Sequence, residues 1–254
     1  MTDAGASPIA DHFSGHASAY AAARPTYPAA LFDWLATLAP SSATVWDCGT
    51  GNGQAAVALA ERFAHVVATD VSAQQIDEAA PHPKVTYAAR PERDSGLGDA
   101  SVGLVTVAQA LHWFDPPAFA REVERVLVPG GHVVAVSYRL FEVTPAVDAV
   151  INEFYDGPIG PFWPPQRAYV DAAYATWPWP WPRLDVPAFD MTLSWTASDA
   201  LAYLRTWSAV RRCVAAEGAD PVDAIDAEVR AAWGPEARTV RWPLTVVASR
   251  VNPE

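Results

Sequence analysis

The residues best suited to chemistry lie in one short run, Val45-Trp-Asp-Cys-Gly-Thr-Gly-Asn-Gly-Gln54. Residues 43–46 read as an apolar strand ending at Asp47, and residues 54–63 read as a helix. Between them, Gly49, Gly51 and Gly53 are spaced G-x-G-x-G. Glycines let the backbone come close to a ligand, and a helix start offers free amides, so the turn predicts a nucleotide-like ligand. A dinucleotide calls for G-x-G-x-x-G, and the place of its third glycine is Gln54 here. Asp47 would repel a pyrophosphate, whereas it suits a ligand carrying an ammonium and a sulfonium. Asp70 ends a second predicted strand, 65–69, where a carboxylate can accept hydrogen bonds from ribose hydroxyls. Dinucleotide sites use the same device, so Asp70 alone does not discriminate.

These residues need a scaffold, and the hydrophobic rhythm supplies one. A short helix from His16 stops at Arg24-Pro25, since the residue before proline avoids the helical region. Leu31, Phe32, Leu35 and Leu38 fall at helical spacing in a helix over 28–38. Ser72 can cap a helix reaching 79, and strands are predicted at 84–88, 102–108 and 132–138. The run 102–108 is apolar nearly throughout, as a strand buried on both faces must be. A helix over 116–128 has proline in its first turn and closes at Pro129-Gly130-Gly131. Strands alternating with helices imply right-handed crossovers, a doubly wound parallel sheet and helices on both faces.

After Tyr138 the rhythm is lost. Residues 143–187 are rich in Pro and Trp, and the run 177–182, Trp-Pro-Trp-Pro-Trp-Pro, cannot be a helix interior or a central strand. It reads as an extended, self-packed lid. Alternation returns at 189–195, followed by two helices, 198–214 and 221–233, and a last strand over 239–250.

Taken in order, Asp47-Cys-Gly-Thr-Gly-Asn-Gly53, Val66-Val-Ala-Thr-Asp70, Ala108-Gln-Ala-Leu-His-Trp-Phe114 and Glu122-Val-Glu-Arg-Val-Leu-Val-Pro-Gly-Gly131 resemble S-adenosylmethionine-dependent methyltransferases with a Rossmann-like core. The resemblance is to small-molecule enzymes, in the branch of ubiquinone-pathway C-methyltransferases and trans-aconitate methyltransferases. Tyr20-Ala-Ala-Ala-Arg-Pro-Thr-Tyr-Pro28 and Val240-Arg-Trp-Pro-Leu244 are similar to the second group. It spans nearly the whole chain outside 143–187. It implies a mostly parallel, seven-stranded α/β sheet with an antiparallel last strand and a small, mainly helical or irregular cap after strand five. One domain, 1–254, would comprise lid helices (1–40), a cofactor core (41–142), a substrate cap (143–187) and strands and helices completing the sheet (188–254).

The resemblance also implies roles. Gly49, Gly51 and Gly53 would pass beneath the methionine part of S-adenosylmethionine, with Asp47 orienting the turn near its amino group. Asp70 would hold the ribose, Val71 and Ala89 would border the adenine, and Gln109 and Ala110 would face the cofactor. Tyr20 and Arg24 would close over it. Glu92 follows the third strand in a segment, Ala88-Ala-Arg-Pro-Glu92, longer than the family's usual one.

His112, just past the fourth strand, is a candidate general base or a loop-wall residue. Methyl transfer from a sulfonium has a good leaving group, so positioning matters most, and a base is needed only for acceptors that must lose a proton. Aromatic rings can hold a sulfonium, with Tyr20, Trp113, Trp163, Trp177, Trp179 and Trp181 as candidates. The cap's Phe154, Tyr155, Phe162, Trp163, Tyr169 and Tyr174 predict a pocket for a flat or apolar acceptor. Trp113, Arg139, Trp163 and Arg167 are its expected binding residues, and Arg139, Arg167 and Arg183 could meet an acidic group.

Composition narrows the alternatives. The chain has 254 residues, a net charge of −12 and no Lys/Arg run, against a nucleic-acid or anionic-membrane partner and against an RNA methyltransferase. The longest charge-free stretch is 15 residues, 100–114, short of a membrane span, and the start lacks the features of a secretory signal. Cys48 and Cys213 make no disulfide framework, which predicts free thiols in the cytoplasm. His12 and His16 lack a third ligand, so no metal is expected. The rivals are a non-catalytic protein that binds S-adenosylmethionine on the same fold, and a nicotinamide oxidoreductase.

Overall fold

A computed structural model describes residues 25–251. Along the chain run α1 (Ala29–Leu35), β1 (Thr44–Cys48), α2 (Gln54–Ala60), β2 (His65–Asp70), α3 (Ala73–Asp77), β3 (Val85–Ala89), β4 (Val102–Ala108), α4 (Pro116–Val126), β5 (Leu127–Tyr138), α5 (Pro145–Asp156), α6 (Arg167–Asp171), β6 (Asp190–Trp195), α7 (Ala197–Arg205), α8 (Ser208–Glu217), α9 (Asp226–Trp233) and β7 (Arg238–Arg250). The seven strands form one sheet in the order β3-β2-β1-β4-β5-β7-β6. Strands β1 to β5 pair in parallel. β7 is antiparallel to both β5 and β6, as expected for the last strand.

Strand β4 lies between β1 and β5, which is why its sequence, Val-Gly-Leu-Val-Thr-Val-Ala, is apolar on both faces. One face of the sheet is covered by α1 and α2, whose Leu31, Phe32, Leu35, Ala56 and Leu59 meet Val45, Val66, Leu104 and Val134. The other is covered by α4, whose Phe119, Val123 and Val126 meet Trp46, Val105, Val133 and Ala135. Asp115 caps α4 by accepting from the Ala118 amide at 3.1 Å, and prolines fill its first turn.

The Trp-Pro run shares this second face. Trp177 and Trp181 are buried in the α4 core, and the Trp177 ring meets Phe119 edge-on at 6.3 Å. Trp179 Nε1 donates to Ser249 Oγ at 2.8 Å and Trp181 Nε1 to Glu124 at 3.1 Å. The chain then rounds the sheet edge. β6 pairs only with residues 238–243 of β7, and beyond it the Leu184 amide donates to the Ala248 carbonyl and the Leu244 amide to the Phe189 carbonyl, both at 2.8 Å. The strap thus covers the half of β7 that β6 leaves open, as an exposed strand edge requires.

A third core lies beyond the sheet's carboxyl edge. Tyr138, Leu140 and Phe141, leaving β5, join α5, α7, α8, α9 and the β7 residues Val240 and Trp242. The helical layer therefore draws on residues 197–233 as well as on 143–187. Two local expectations need correction. Pro129-Gly130-Gly131 lies inside β5 rather than before it, as a register shift between Val102 and Leu104 that Gly130 accommodates at φ +73°. The helix expected over 198–214 is two helices, because Trp207 adopts an extended backbone while burying its ring against Tyr155, Trp163 and Tyr203.

Candidate active site

The glycine turn leaves β1 at the carboxyl end of the sheet, where an open α/β fold places ligands. The Gly49 and Thr50 amides donate to the Thr69 carbonyl at 2.8 and 2.9 Å, tying the turn to β2. Gly49 and Gly51 have φ of +71° and +56°, a region that only glycine enters without strain. A methyl group on Gly49 would lie 2.5 Å from Ala110 Cβ, so the loop after β4 packs directly under the turn.

Asp47 stands below the turn, with no solvent exposure. Its Oδ2 accepts from Thr50 Oγ1 at 2.6 Å and its Oδ1 from Thr106 Oγ1 at 2.8 Å. Burial pushes its pKa up to about 6, against the pull of the two threonine hydroxyls. These bonds make Asp47 a brace that fixes the turn from beneath. The sequence signal for Thr106 is a lone hydroxyl in an otherwise apolar strand.

Asp70 ends β2, half-buried. Its Oδ2 accepts from the Gly51 amide and its Oδ1 from the Ser72 amide, each at 2.9 Å. Burial raises its pKa, and the two amide bonds oppose the rise. Val71, next along, is 45% exposed. Ala89 is the register partner of Asp70 at the exposed end of β3. Glu92 lies near enough to Cys48 to act on its thiol, which burial raises well above its ordinary pKa.

Gln109 takes φ +54°, rare for a residue with a side chain, and its Nε2 donates to the Tyr138 carbonyl at 3.0 Å. This bond ties the loop after β4 to the end of β5. His112 lies in the following turn, Leu111–Trp113, its Nδ1 3.3 Å from the Tyr174 hydroxyl and its ring 5.0 Å from that of Trp113. Burial, with Arg167 nearby, lowers its pKa to about 3. The imidazole is therefore neutral in the free protein.

Among the residues expected to meet an acceptor, α6 packs on the Leu111–Trp113 turn. Arg167 lies over the rings of Tyr155 and Trp163, at 5.7 and 5.1 Å. Arg139 lies 4.6 Å over Tyr155 and is bound to Asp171 at 3.0 Å. Arg183 donates to the Tyr174 carbonyl at 2.7 Å. Asp171, which joins these groups, was not among the expected residues; 32 residues separate it from Arg139, and no local pattern links them. Phe154, expected to line a pocket, is core of the helical layer. Trp177, Trp179 and Trp181 belong to the strap over α4 and β7, so they are not sulfonium-holding residues of this site. Tyr20, Arg24, His12 and His16 lie outside the described residues. Among the described residues no cluster could hold a metal ion, and no helix is long and apolar enough to cross a membrane.

The methyltransferase-domain family matches residues 46–135, the span from β1 to the middle of β5. A protein of Dictyostelium discoideum described as a methyltransferase is 31% identical over 202 residues, covering 78% of this chain and 77% of its own length. A solved structure from Anaeromyxobacter dehalogenans, described as a type II methyltransferase, is 44% identical, with a TM-score of 0.85 over 91% of this chain and 99% of that one. An uncharacterized methyltransferase of Mycobacterium tuberculosis is 38% identical over 122 residues, 48% of this chain and 49% of its own. The chain belongs to the methyltransferase family. It is an S-adenosylmethionine-dependent enzyme with a Rossmann-like fold. The turn, Asp70 and the loop after β4 all lie inside the matched span.

Proposed function

We propose that this methyltransferase transfers a methyl group to a small-molecule acceptor, on oxygen or carbon, by in-line displacement. The observation that carries the cofactor side is the fixing of Asp70 by the Gly51 and Ser72 amides beside the exposed Val71. Two amides turn the carboxylate so that its remaining lone pairs can accept from a ribose diol. Val71 offers an apolar surface to the adenine edge, with Ala89 at its flank. The open space over Gly51, where an added Cβ would meet nothing closer than Gln75 Oε1 at 3.5 Å, fits the methionine part of S-adenosylmethionine. When bound, S-adenosylmethionine supplies an electrophilic methyl on a sulfonium whose departure leaves a neutral thioether.

The chain's own part is positioning. Asp47 holds the turn through Thr50, and Gly49 lets Ala110 close up beneath it. Gln109 joins the two strand ends between which an acceptor would reach the methyl. Placing a nucleophile about 3 Å from an electrophile and excluding water can supply several kcal/mol of the barrier. His112, neutral and buried, stands in the acceptor wall, within reach of the Tyr174 hydroxyl. Trp113 and Trp163 offer apolar faces, and Arg139 and Arg167 bring positive charge to the same side.

The test is S-adenosylhomocysteine release over a panel of small acids, phenols and quinone precursors, with calorimetric titration of S-adenosylmethionine. Asp70→Ala should weaken cofactor binding about 10- to 100-fold, the loss of a charged hydrogen-bond acceptor. Unchanged affinity in that variant refutes the ribose role.

A further inference from the structure

The chain leaves α6 through two residues in the left-handed region, Ala173 at φ +49° and Tyr174 at φ +56°. Glycine enters that region freely, and a bulky side chain does so rarely. Strain of this kind persists only where the surroundings hold it, and it gathers at functional sites. The Tyr174 amide is held by the Tyr169 carbonyl at 2.8 Å. Its side chain has no solvent exposure and lies in the core that α4 covers. A phenylalanine would fill that core and leave no hydroxyl to satisfy. The tyrosine instead places its hydroxyl 3.3 Å from His112 Nδ1.

That contact decides which imidazole nitrogen carries the proton. A neutral imidazole has one donor and one acceptor nitrogen. Burial, with Arg167 nearby, keeps His112 neutral, and burial keeps the proton on Tyr174. The Ser137 hydroxyl, sealed at the end of β5 and in no full hydrogen bond, stands near the phenol oxygen as a donor, and so does the His112 amide. The phenol's own hydrogen is thereby left for Nδ1, and the ring proton belongs on Nε2. Nε2 bonds to no described residue, and unlike Ser137 Oγ it is not sealed. The 7% exposure of His112 therefore includes a donor with nothing described to receive it. The turn that carries it follows directly on Ala110, which packs under Gly49.

We propose that Tyr174 fixes His112 as its Nε2–H tautomer and that this N–H donates to an oxygen of the methyl acceptor, holding the acceptor in line with the methyl. His112 is then a catalytic residue by contact, and Tyr174 and Ser137 are positioning residues. This rests on the methyl-transfer reading above and adds the group that orients the acceptor in that site. The donor gives up no proton. The acceptor's nucleophilic atom bonds to the methyl carbon, the C–S electron pair stays on sulfur, and any proton that the nucleophile sheds goes to water. A site built to donate a hydrogen bond rejects analogues that lack the matching oxygen.

The experiment uses the full chain with S-adenosylhomocysteine bound and its histidines labelled with heavy nitrogen. Nuclear magnetic resonance should show His112 with a bare Nδ1 and a proton on Nε2. Tyr174→Phe keeps the ring and removes the hydroxyl, and it should turn the imidazole into a mixture of both tautomers, which loss of a merely structural tyrosine would not do. A proton found on Nδ1, or a tautomer indifferent to Tyr174→Phe, overturns the proposal. This reading needs no acceptor, so it decides whatever the panel of acids, phenols and quinone precursors yields. On panel members that turn over, His112→Ala should lower kcat/KM about 10- to 100-fold, the cost of a lost hydrogen bond to a buried partner. Tyr174→Phe should lower it about fivefold and leave the S-adenosylmethionine Kd within about twofold. His112→Gln should keep about a tenth or more of the wild-type value, because an amide can donate near the Nε2 position but cannot take up a proton. A His112→Gln protein as inactive as His112→Ala makes the residue a base and overturns the donor role. If His112→Ala fails to fold, the Tyr174→Phe spectrum and the His112→Gln kinetics still decide. Titration with S-adenosylmethionine separates the two readings: no cofactor binding overturns the transferase reading, whereas turnover unchanged in His112→Ala overturns only the donor.

Discussion

Asp47 shows how much one residue's chemistry can depend on its neighbours. A carboxylate with no solvent exposure survives here because two threonine hydroxyls, from the turn and from β4, donate to it. They offset part of the cost of burial, and the pKa still rises from 3.8 to about 6. For an acid whose folded pKa is raised, the stabilising contribution is whole below the unfolded pKa and is lost as pH climbs through the folded one. Between pH 4.5 and 7.5 the wild type should therefore lose about 2 kcal/mol relative to Asp47→Asn, which cannot ionise. Urea unfolding of both proteins at several pH values measures this difference, and carboxylates elsewhere cancel in the subtraction. A difference that stays constant with pH would mean that Asp47 is already ionised in the folded protein at pH 4.5, and one that still grows at pH 7.5 would mean that it stays protonated there.

At the scale of elements, the strap is the unusual part. A Trp-Pro repeat cannot make a helix, yet it fills a helix's place beside α4 by laying large rings on the sheet and using indole N–H groups to reach Ser249 and Glu124. Trp177, 2% exposed against Phe119, should be its chief anchor. Trp177→Ala is expected to cost about 3–5 kcal/mol by denaturant unfolding, the range for deleting a large buried aromatic. Its effect on S-adenosylmethionine affinity should be small, because the rings of Phe119 and Phe114 stand between Trp177 and the glycine turn. A collapse of cofactor binding in a folded Trp177→Ala protein would count against that separation. The same elements show what the sequence could and could not convey. Strand β4 was legible to its ends, since a strand buried on both faces is apolar from end to end. The glycine turn and Asp70 were legible because their chemistry is local. The partnership of Asp47 with Thr106 crosses 59 residues, and the Tyr155–Arg167–Asp171 cluster forms only when α5 and α6 meet. The path of the strap was hidden for the same reason: proline says what a segment cannot be and is silent about what it lies on.

At the scale of the whole molecule, two sheet cores and one helical core are joined through few strands. Tyr138 carries β5 out of the sheet into the helical layer. β7 crosses back, with Val240 and Trp242 in the helical core and Val247 and Ala248 in the two sheet cores. Trp242 is the central junction, its ring within 6 Å of Phe141, Trp195 and Tyr203. Units with their own cores open separately when the links between them are few. Hydrogen exchange should therefore show α5, α7 and α9 opening together, at a lower free energy than β1 and β4. Trp242→Ala should speed exchange in all three helices by at least about tenfold and leave β1 and β4 unchanged, since the cavity weakens the layer and not the central sheet. Equal acceleration in β1 and β4 would make the molecule one cooperative unit. Acceleration confined to the residues touching Trp242 would mean that the helices do not open as a layer. Joint opening of the three helices would carry Tyr155, and with it Arg167, away from the Leu111–Trp113 turn while the glycine turn stays with the sheet.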